Sequence, residues 1–359
     1  MHNNRVAIRY TDALMSSRSG ALKLVVGMPA FNEAASIADV IRRVPRSFVG
    51  VSDVHVVVVD DGSSDDTAAL ARTAGAIVVM HPMNLGVGTA FHSQVRAALR
   101  MRADLLVTID ADGQFNPADI GTLIQPILDG DAQVCTASRF ADRDLVPEMP
   151  WVKKWGNRRV AGLVSRLTGH KFHDVSCGFR AYSREALLQL TVRHSFTYTH
   201  ETFLDLAAKR IPIHEVPLAV RGTREHGKSK VAKSVLRYGM RTAAIMLRTY
   251  RDQRPLSLCF SLSLPCFLAG IAMLVWSYGH LVTQGTWLKW AAFTGGGAVA
   301  LGFALIFFGF MADIATRLRQ NQEEILYWLR RQAHSDDPTH EIRRANAPRT
   351  SSIRGSGTG

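Results

Sequence analysis

The sequence predicts an α/β protein: a doubly wound, mostly parallel sheet, followed by an amphipathic interfacial helix and a two-helix transmembrane hairpin. Three observations predict it. Between Leu22 and Val216, short β-branched runs alternate with stretches of helical spacing. Polar clusters directly follow successive strand candidates, where open α/β sheets bind ligands. Near the C-terminus, Leu256–Tyr278 and Ala291–Ala312 carry no charged residue over 23 and 22 residues, and about 20 apolar residues span a bilayer core.

The elements follow in order. Residues 1–21 form a polar N-terminal tail with no apolar signal-peptide segment, so the domain after it is expected to stay in the cytoplasm. Strands are expected at Leu22–Met28, Val54–Val59, Ala76–Met80, Leu105–Ile109, Ala132–Ala137, Gly178–Tyr182 and Ile211–Val216. The run VHVVVV at 54–59 is nearly all apolar, the pattern of a strand covered on both faces. Helices are expected at Ala34–Val44, Asp66–Thr73, Ala90–Met101, Pro117–Leu128, Arg159–Leu167 and His200–Lys209. Asp142–Trp155, with Pro147, Pro150, Lys153 and Lys154, reads as a long loop.

The domain of residues 22–227 is thus followed by a basic helix over 228–254. There Lys230, Lys233, Arg237, Arg241 and Arg248 share one face, beside an apolar stripe of Leu236, Met240, Ala243, Leu247 and Tyr250. A helix of this kind next to a membrane span lies in the headgroup plane, facing anionic lipid headgroups. Transmembrane helices are expected at 256–278 and 291–312, a polar cytoplasmic helix at 313–333 and a disordered tail at 334–359. Arg251, Arg254, Arg317 and Arg319 flank the spans, whereas the loop between them carries only Lys289 and His280. The positive-inside rule then puts the domain and both termini in the cytoplasm of a multi-pass cell-membrane protein. Trp276, Tyr278, Trp287 and Trp290 would form an outer aromatic belt, and Ala298 with Gly302 a small-residue pair for close helix packing. The hairpin leaves room for a homo-oligomer.

The chain is strongly basic, with a net charge of +13, which favours an anionic partner. The charge concentrates beside the spans and no nucleic-acid-binding motif is present, so lipid headgroups explain it better than nucleic acid. The four cysteines form no C-x-x-C pair, which excludes a disulfide scaffold and a zinc ribbon.

Four clusters carry the chemistry: Pro29-Ala-Phe31-Asn32-Glu33, Asp60-Asp61-Gly62-Ser63-Ser64, Asn84-Leu-Gly86-Val-Gly88 and Asp110-Ala111-Asp112-Gly113-Gln114. Each alone reads as turn chemistry. At four successive strand ends they converge on one crevice. Carboxylates with an amide oxygen suit Mg²⁺ or Mn²⁺, and Asp112 and Gln114, two apart, can reach one ion. Asp60 or Asp61 can accept a hydrogen bond from a base. Neither a G-x-G-x-x-G turn nor a Walker A sequence is present, so the crevice reads as a metal and nucleotide-diphosphate site.

The ordered set PAFNEA, VVVVDDGSSDDT, NLGVGTA, TIDADGQ, DVSCGFRAY and REHGKSK resembles the family-2 glycosyltransferases, which have a GT-A fold. Within them it looks like the dolichyl- or polyprenyl-phosphate sugar transferases with two C-terminal spans. The resemblance implies an inverting, metal-dependent transfer of one sugar from a nucleotide sugar, of GDP-mannose or UDP-glucose type, to a polyprenyl or dolichyl phosphate. It implies that Pro29, Phe31, Glu33, Asp60, Asp61, Asp110 and Ala111 bind the nucleotide, and that Asp112 and Gln114 hold the metal. Arg139, Ser176 and Arg224 would face the acceptor phosphate, with Arg158 or Arg159 as a further acceptor arginine. Asp112, Arg139 and Arg224 are then the catalytic set. The alternatives are transfer to another membrane lipid or glycan, or an inactive scaffold of the same fold. The Gln-x-x-Arg-Trp motif of processive synthases is absent.

Overall fold

In a computed structural model, residues 22–142, 144–146, 151–191, 198–221, 251 and 255–334 are described. The N-terminal tail, Arg224, the basic helix of 228–254 apart from Arg251, and the C-terminal tail beyond His334 lie outside the described residues.

The first half alternates as expected: β1 Leu22–Ala30, α1 Ile37–Arg43, β2 Val51–Asp60, α2 Thr67–Thr73, β3 Ile77–Met80, α3 Val87–Arg100 and β4 Leu105–Thr108. A 3₁₀ turn, Pro117–Asp119, then leads into α4 Ile120–Leu128 and β5 Val134–Ser138. The rest of the domain is α5 Trp151–Thr168, β6 Arg180–Ser183, α6 Arg184–Gln189, α7 Thr199–Ala208 and β7 Ile213–Pro217. The seven strands form one sheet in the order β3-β2-β1-β4-β6-β5-β7. Only β6 among them runs antiparallel to its neighbours.

Both faces of the sheet are covered, which is why its strands read as apolar runs. Val26, Met28, Val56 and Val58 pack under α1 and α4 through Ile37, Ile41, Ile120 and Leu123. Val25, Val57 and Leu106 point to the other face, against Phe91, Ala98, Leu187 and Leu206 from α3, α6 and α7. Val56 to Val59 are all at most 2% exposed, and full burial of one such side chain contributes about 1.5 kcal/mol or more.

The expectation of a loop through Trp155 is corrected: α5 begins at Trp151. The prolines at 147 and 150 precede this helix rather than interrupt it, and Trp151, Trp155 and Arg158 recur at helical spacing. Its inner face, Ala161 and Val164, packs with Phe172, Val175, Phe203 and Leu204 in a separate small core.

Two helices, α8 Pro255–Gln284 and α9 Lys289–Ala333, are long and apolar enough to cross a membrane. The expected loop from Gly279 to Trp290 narrows to Gly285–Leu288, because α8 runs on to Gln284. Polar groups there are satisfied locally: Ser277 Oγ donates to Leu288 O at 3.0 Å, and His280 Nδ1 lies 2.9 Å from Thr286 O. Trp276 and Trp290 meet edge to face at 5.5 Å. The close-packing stripe is Gly295, Gly302 and Gly309. A Cβ on Gly295 would sit 2.9 Å from Gly270 O, and one on Gly309 would sit 2.8 Å from Cys259 Cβ. Gly302 belongs to this stripe, whereas Ala298 lies half-exposed beside it.

Beyond its apolar part, α9 continues without a break and docks on the sheet domain. Tyr327 donates to Glu185 Oε1 at 2.8 Å, and Arg330 caps α6 by donating to the carbonyls of Leu188 and Leu190 at 3.2 and 2.9 Å. Arg184 donates to His334 O, and Glu323 lies 3.5 Å from Lys209 Nζ.

Candidate active site

The sheet order reverses between β1 and β4, and the crevice of an open α/β sheet lies above such a point. The clusters after β1, β2 and β4 meet there. Asp61 N donates to Ala30 O at 2.8 Å, tying the ends of β1 and β2. Asn32 takes the left-handed conformation, φ 53°, which asparagine tolerates. From there its N–H donates to Ser63 Oγ at 2.9 Å and its Oδ1 accepts from Ser64 N at 2.8 Å. Glu33 N donates to Thr67 Oγ1 at 2.9 Å. This lacing presents half-buried Pro29, Phe31 and Glu33 at the rim.

Asp60 and Asp61 are both buried, but they are held differently. Asp60 Oδ1 accepts from Ser63 N at 3.1 Å. Asp61 accepts from Leu85 N at 3.0 Å and Gly86 N at 2.8 Å, and its Oδ1 lies 2.7 Å from His81 Nδ1. Asp61 therefore clamps the third cluster, Asn84–Gly88, onto the second. Gly62 makes this possible: it has φ +75°, and a Cβ there would sit 2.5 Å from the Met83 carbonyl carbon.

The fourth cluster is similarly pinned. Ser36 Oγ donates to Ala111 O at 2.7 Å. Asp112, 3% exposed, accepts from Gln114 N at 3.1 Å. Gln114 exchanges bonds with Arg221, donating through Nε2 to Arg221 O at 3.3 Å and accepting from Arg221 N at 3.1 Å. Because β6 is reversed, its start lies beside the end of β4. This brings Gly178 against Asp110, whose carboxylate oxygens would be 3.4 Å from a Cβ at that position.

Arg139, at the end of β5, faces the same edge. Its Nε and Nη2 grip Asp174 at 2.6 and 3.0 Å, and Nη2 also donates to Ser176 Oγ at 2.7 Å. Ser176 Oγ in turn donates to Asn157 Oδ1 on α5 at 2.8 Å, and Asn157 Nδ2 donates to His173 O at 3.1 Å. Burial opposes the charge on both partners of the ion pair. The Asp174 carboxylate outweighs it and holds the Arg139 guanidinium above its ordinary range. Bonds and charge from Arg139, with the Ser176 N–H, likewise hold the Asp174 carboxyl below its ordinary range. Glu215 on β7 completes the frame by accepting from Asp174 N at 2.8 Å and His173 N at 2.9 Å. Cys177 is fully buried beside this network, and burial pushes its thiol up to about 12, so it is not a nucleophile at neutral pH.

Arg158 and Arg159 lie on the exposed side of α5, and the Arg159 guanidinium stacks 5.1 Å from the Trp155 ring. Their neighbour Asn157 is the residue of this stretch that reaches Ser176. Glu201 is buried at the start of α7. Sequence reasoning missed Asp174, Asn157, Glu215 and the fully buried Arg180. Arg180 donates to the carbonyls of Cys177, Thr199 and Val175 at 2.8, 2.8 and 3.0 Å and so fixes the loop that carries Ser176. A charged residue in an otherwise apolar strand was the signal available for it.

Among the described residues no three His, Cys, Asp or Glu side chains converge on one point. Mg²⁺ typically takes one or two carboxylates and leaves the rest of its shell to water and substrate phosphate. The hard oxygens of Asp110, Asp112 and Gln114 fit a divalent cation of that kind.

The sheet order and the crevice at its switch point define a fold of GT-A type. The fold is shared with the glucosyl-3-phosphoglycerate synthase of Mycobacterium tuberculosis, crystallised with Mn²⁺, UDP and glucosyl-3-phosphoglycerate. The two agree with a TM-score of 0.50 and 23% identity, over 68% of this chain and 83% of that one. The family model "Glycosyl transferase family 2" matches residues 25–191. A polyprenol monophosphomannose synthase of Mycolicibacterium smegmatis is 32% identical over 231 residues, 61% of this chain and 84% of that protein. A UDP-N-acetylglucosamine–dolichyl-phosphate N-acetylglucosaminyltransferase of Methanococcus voltae is 30% identical over 53% of this chain and 82% of its own length. The chain belongs to glycosyltransferase family 2 and is an enzyme of that class.

Proposed function

We propose that the protein transfers one sugar, with inversion, from a nucleotide diphosphate sugar to a polyprenyl or dolichyl phosphate at the cytoplasmic face of the membrane. The observation that carries this is the presence, in one chain, of a carboxylate crevice at the sheet's switch point and two helices of membrane length. Both relatives described above are named for lipid-phosphate acceptors. The donor is of the GDP-mannose or UDP-glucose type.

Asp110 and Ala111 line the nucleotide, with Pro29, Phe31, Glu33 and Asp60 around base and ribose. Asp61 acts by holding the Asn84–Gly88 loop against them. Asp112 and Gln114 would hold Mg²⁺ or Mn²⁺, which when bound neutralises charge on the departing diphosphate. An oxygen of the lipid phosphate attacks the sugar's anomeric carbon as the bond from that carbon to the diphosphate oxygen breaks, its electron pair leaving with the nucleoside diphosphate. The attacking phosphate is already an anion, so no strong general base is required. The reaction needs positioning and charge balance. Asp174 orients Arg139 so that Nη1 is left for the acceptor phosphate, and Ser176, set by Asn157, borders the same place. Arg224 would serve beside it.

Residues 22–227 form the catalytic domain in this reading. Arg251, Arg317 and Arg319 at the base of the hairpin favour the cytoplasmic side for it. The test is incubation of purified membranes with radiolabelled nucleotide sugars and polyprenyl phosphate. Label entering the lipid phase as a product cleaved by mild acid is expected. Turnover that leaves polyprenyl phosphate unlabelled and marks another lipid or a glycan would overturn the acceptor.

A further inference from the structure

We propose that the part of α9 beyond its apolar span is a strut that sets the distance of the crevice from the membrane, with Tyr327 and Arg330 as its positioning residues. α9 runs unbroken from Lys289 to Ala333. Between Ala312 and Ala333 it contains neither Gly nor Pro, so nothing in that stretch favours a kink. Asp313 pairs with Arg317 at 3.0 Å and Arg319 with Glu323 at 3.6 Å, each one turn apart. Such pairs stabilise a polar helix that bridges solvent between two bodies. The tip is then clamped on α6: Tyr327 donates to Glu185, Arg330 donates to the carbonyls of Leu188 and Leu190, and Arg184 donates to His334 O. Arg331 donates to the Tyr327 hydroxyl at 2.7 Å, so that hydroxyl is held from both sides.

The clamp lies at the end of the sheet opposite the crevice. Arg184 N donates to Asp104 O and Asp104 N to Lys23 O, which puts the start of α6 level with the starts of β1 and β4. Lys209, beside Glu323, precedes β7 at the same end. From Lys23 to Ala30, where β1 opens into the crevice, the strand rises about 23 Å. From Ala312, the last residue before the first charge after the apolar span, α9 rises about 22 Å to Tyr327 and about 27 Å to Arg330. The two lengths match. A domain held by its far end and standing alongside α9 therefore brings its crevice level with the bilayer surface, where a lipid phosphate is found. A shorter helix would press the sheet into the headgroups, and a longer one would hold the crevice away from them. A contact that only stabilised the fold would not need that one distance. The strut rests on α9 crossing the bilayer; its benefit to a lipid phosphate rests on the acceptor proposed above.

The experiment uses the full chain in phosphatidylcholine nanodiscs that contain a dye-labelled lipid. A clickable amino acid carrying the partner dye replaces either Asp66, exposed near the crevice end, or Arg100, exposed at the far end. Energy transfer to the lipid dye should be stronger from position 66 than from position 100. A helix-forming heptad inserted between Gln320 and Asn321 lengthens the strut by about 10 Å with only about 20° of rotation. It should weaken energy transfer from both positions and raise the KM for lipid phosphate in discs about tenfold. Donor KM, and the KM for detergent-dispersed lipid phosphate, should stay at the parent values. Tyr327→Phe combined with Arg330→Ala unclamps the tip and should raise the disc KM about fivefold. Arg330→Lys should stay near the parent value, because an ammonium can still donate to the two carbonyls. Stronger energy transfer from position 100, energy transfer indifferent to the heptad, or KM rises of equal size in detergent would overturn the proposal. Energy transfer needs no turnover. A heptad-sensitive signal in a protein that does not label lipid phosphate would therefore sink the proposed acceptor and leave the strut standing, and lipid labelling with a heptad-indifferent signal would do the reverse.

Discussion

At the ends of β1, β2 and β4, several candidate nucleotide-side residues are held by atoms of their own or a neighbouring strand-end loop. Asn32 meets Ser63 and Ser64, Asp60 meets Ser63, and Asp112 meets Gln114. Around Arg139 the construction is different. Its frame comes from Asp174 and Ser176, reached through a reversed strand, from Asn157 on a separate helix, and from Glu215 on the far edge strand. The first region is laced between strand-end loops by single hydrogen bonds, such as Asn32 to Ser63 and Ser36 to Ala111. The second is a buried ion pair, and its frame exists only once β5, β6, β7 and α5 have assembled. A change on the nucleotide side should therefore cost chemistry with little effect on folding, and a change around Arg139 should cost both.

The sharpest way to break that contrast is Asp174→Ala. Removing one partner of a buried pair leaves the other charge uncompensated, at a cost of about 3–5 kcal/mol. Thermal unfolding should shift down strongly and transfer should be lost. A melting temperature equal to that of the parent would erase the distinction between the two regions.

Asp112→Ala tests the opposite side. Transfer should fall by about 10²–10³-fold, the scale of losing one key electrostatic contact in a transition state. The circular dichroism spectrum and melting temperature should stay unchanged, and a chelator should give a comparable loss in the parent. Full activity in either arm removes Asp112 from the metal site.

Acid sharpens the contrast through the same ion pair. The Asp174 carboxyl is held below its ordinary range in the folded protein. Its stabilisation is thus fully present above the unfolded value of about 3.9 and is lost as pH falls through the lower folded value. Acid unfolding followed by fluorescence should begin below about pH 4, and Asp174→Asn should flatten that limb. An unchanged acid limb would mean that other carboxylates govern it.

The smallest expected effect is that of Asn157→Ala. It removes the bond to Ser176 and a second to His173 O, each worth about 1 kcal/mol; loss of the first should raise the KM for lipid phosphate about fivefold. Donor KM and kcat should stay near the parent values and the melting temperature should fall slightly, and Asn157→Asp should restore part of the loss because its oxygen can still accept from Ser176. Equal rises in donor and acceptor KM would make Asn157 a general structural residue.

Most of the sheet and the meeting of the strand-end clusters were legible in the residues. The two-sided burial of β1, β2 and β4 requires apolar runs, and turn chemistry has to follow each strand directly, so both signals are contiguous. Asp61 was legible as a candidate site residue, but its bonds to the loop after β3 were not, since they depend on where that loop comes to lie. Asn157 was hidden because the composition around Pro147 and Pro150 resembles a loop more than the start of a helix.

By itself the sequence determined the alternation of elements, the crevice at the strand ends and the two membrane-length helices. Each of these follows from side-chain polarity at short, regular spacing, which the backbone geometry of strand and helix converts directly into a buried face. Only the tertiary structure decided the reversal of β6, the grip of Asp174 and Ser176 on Arg139, the turning of Asn157 inward and Arg158 outward, and the docking of Tyr327 and Arg330 on α6. Those pairings join groups far apart in the chain, and a hydrogen bond or ion pair between them depends on a few ångströms of packing that no local pattern encodes.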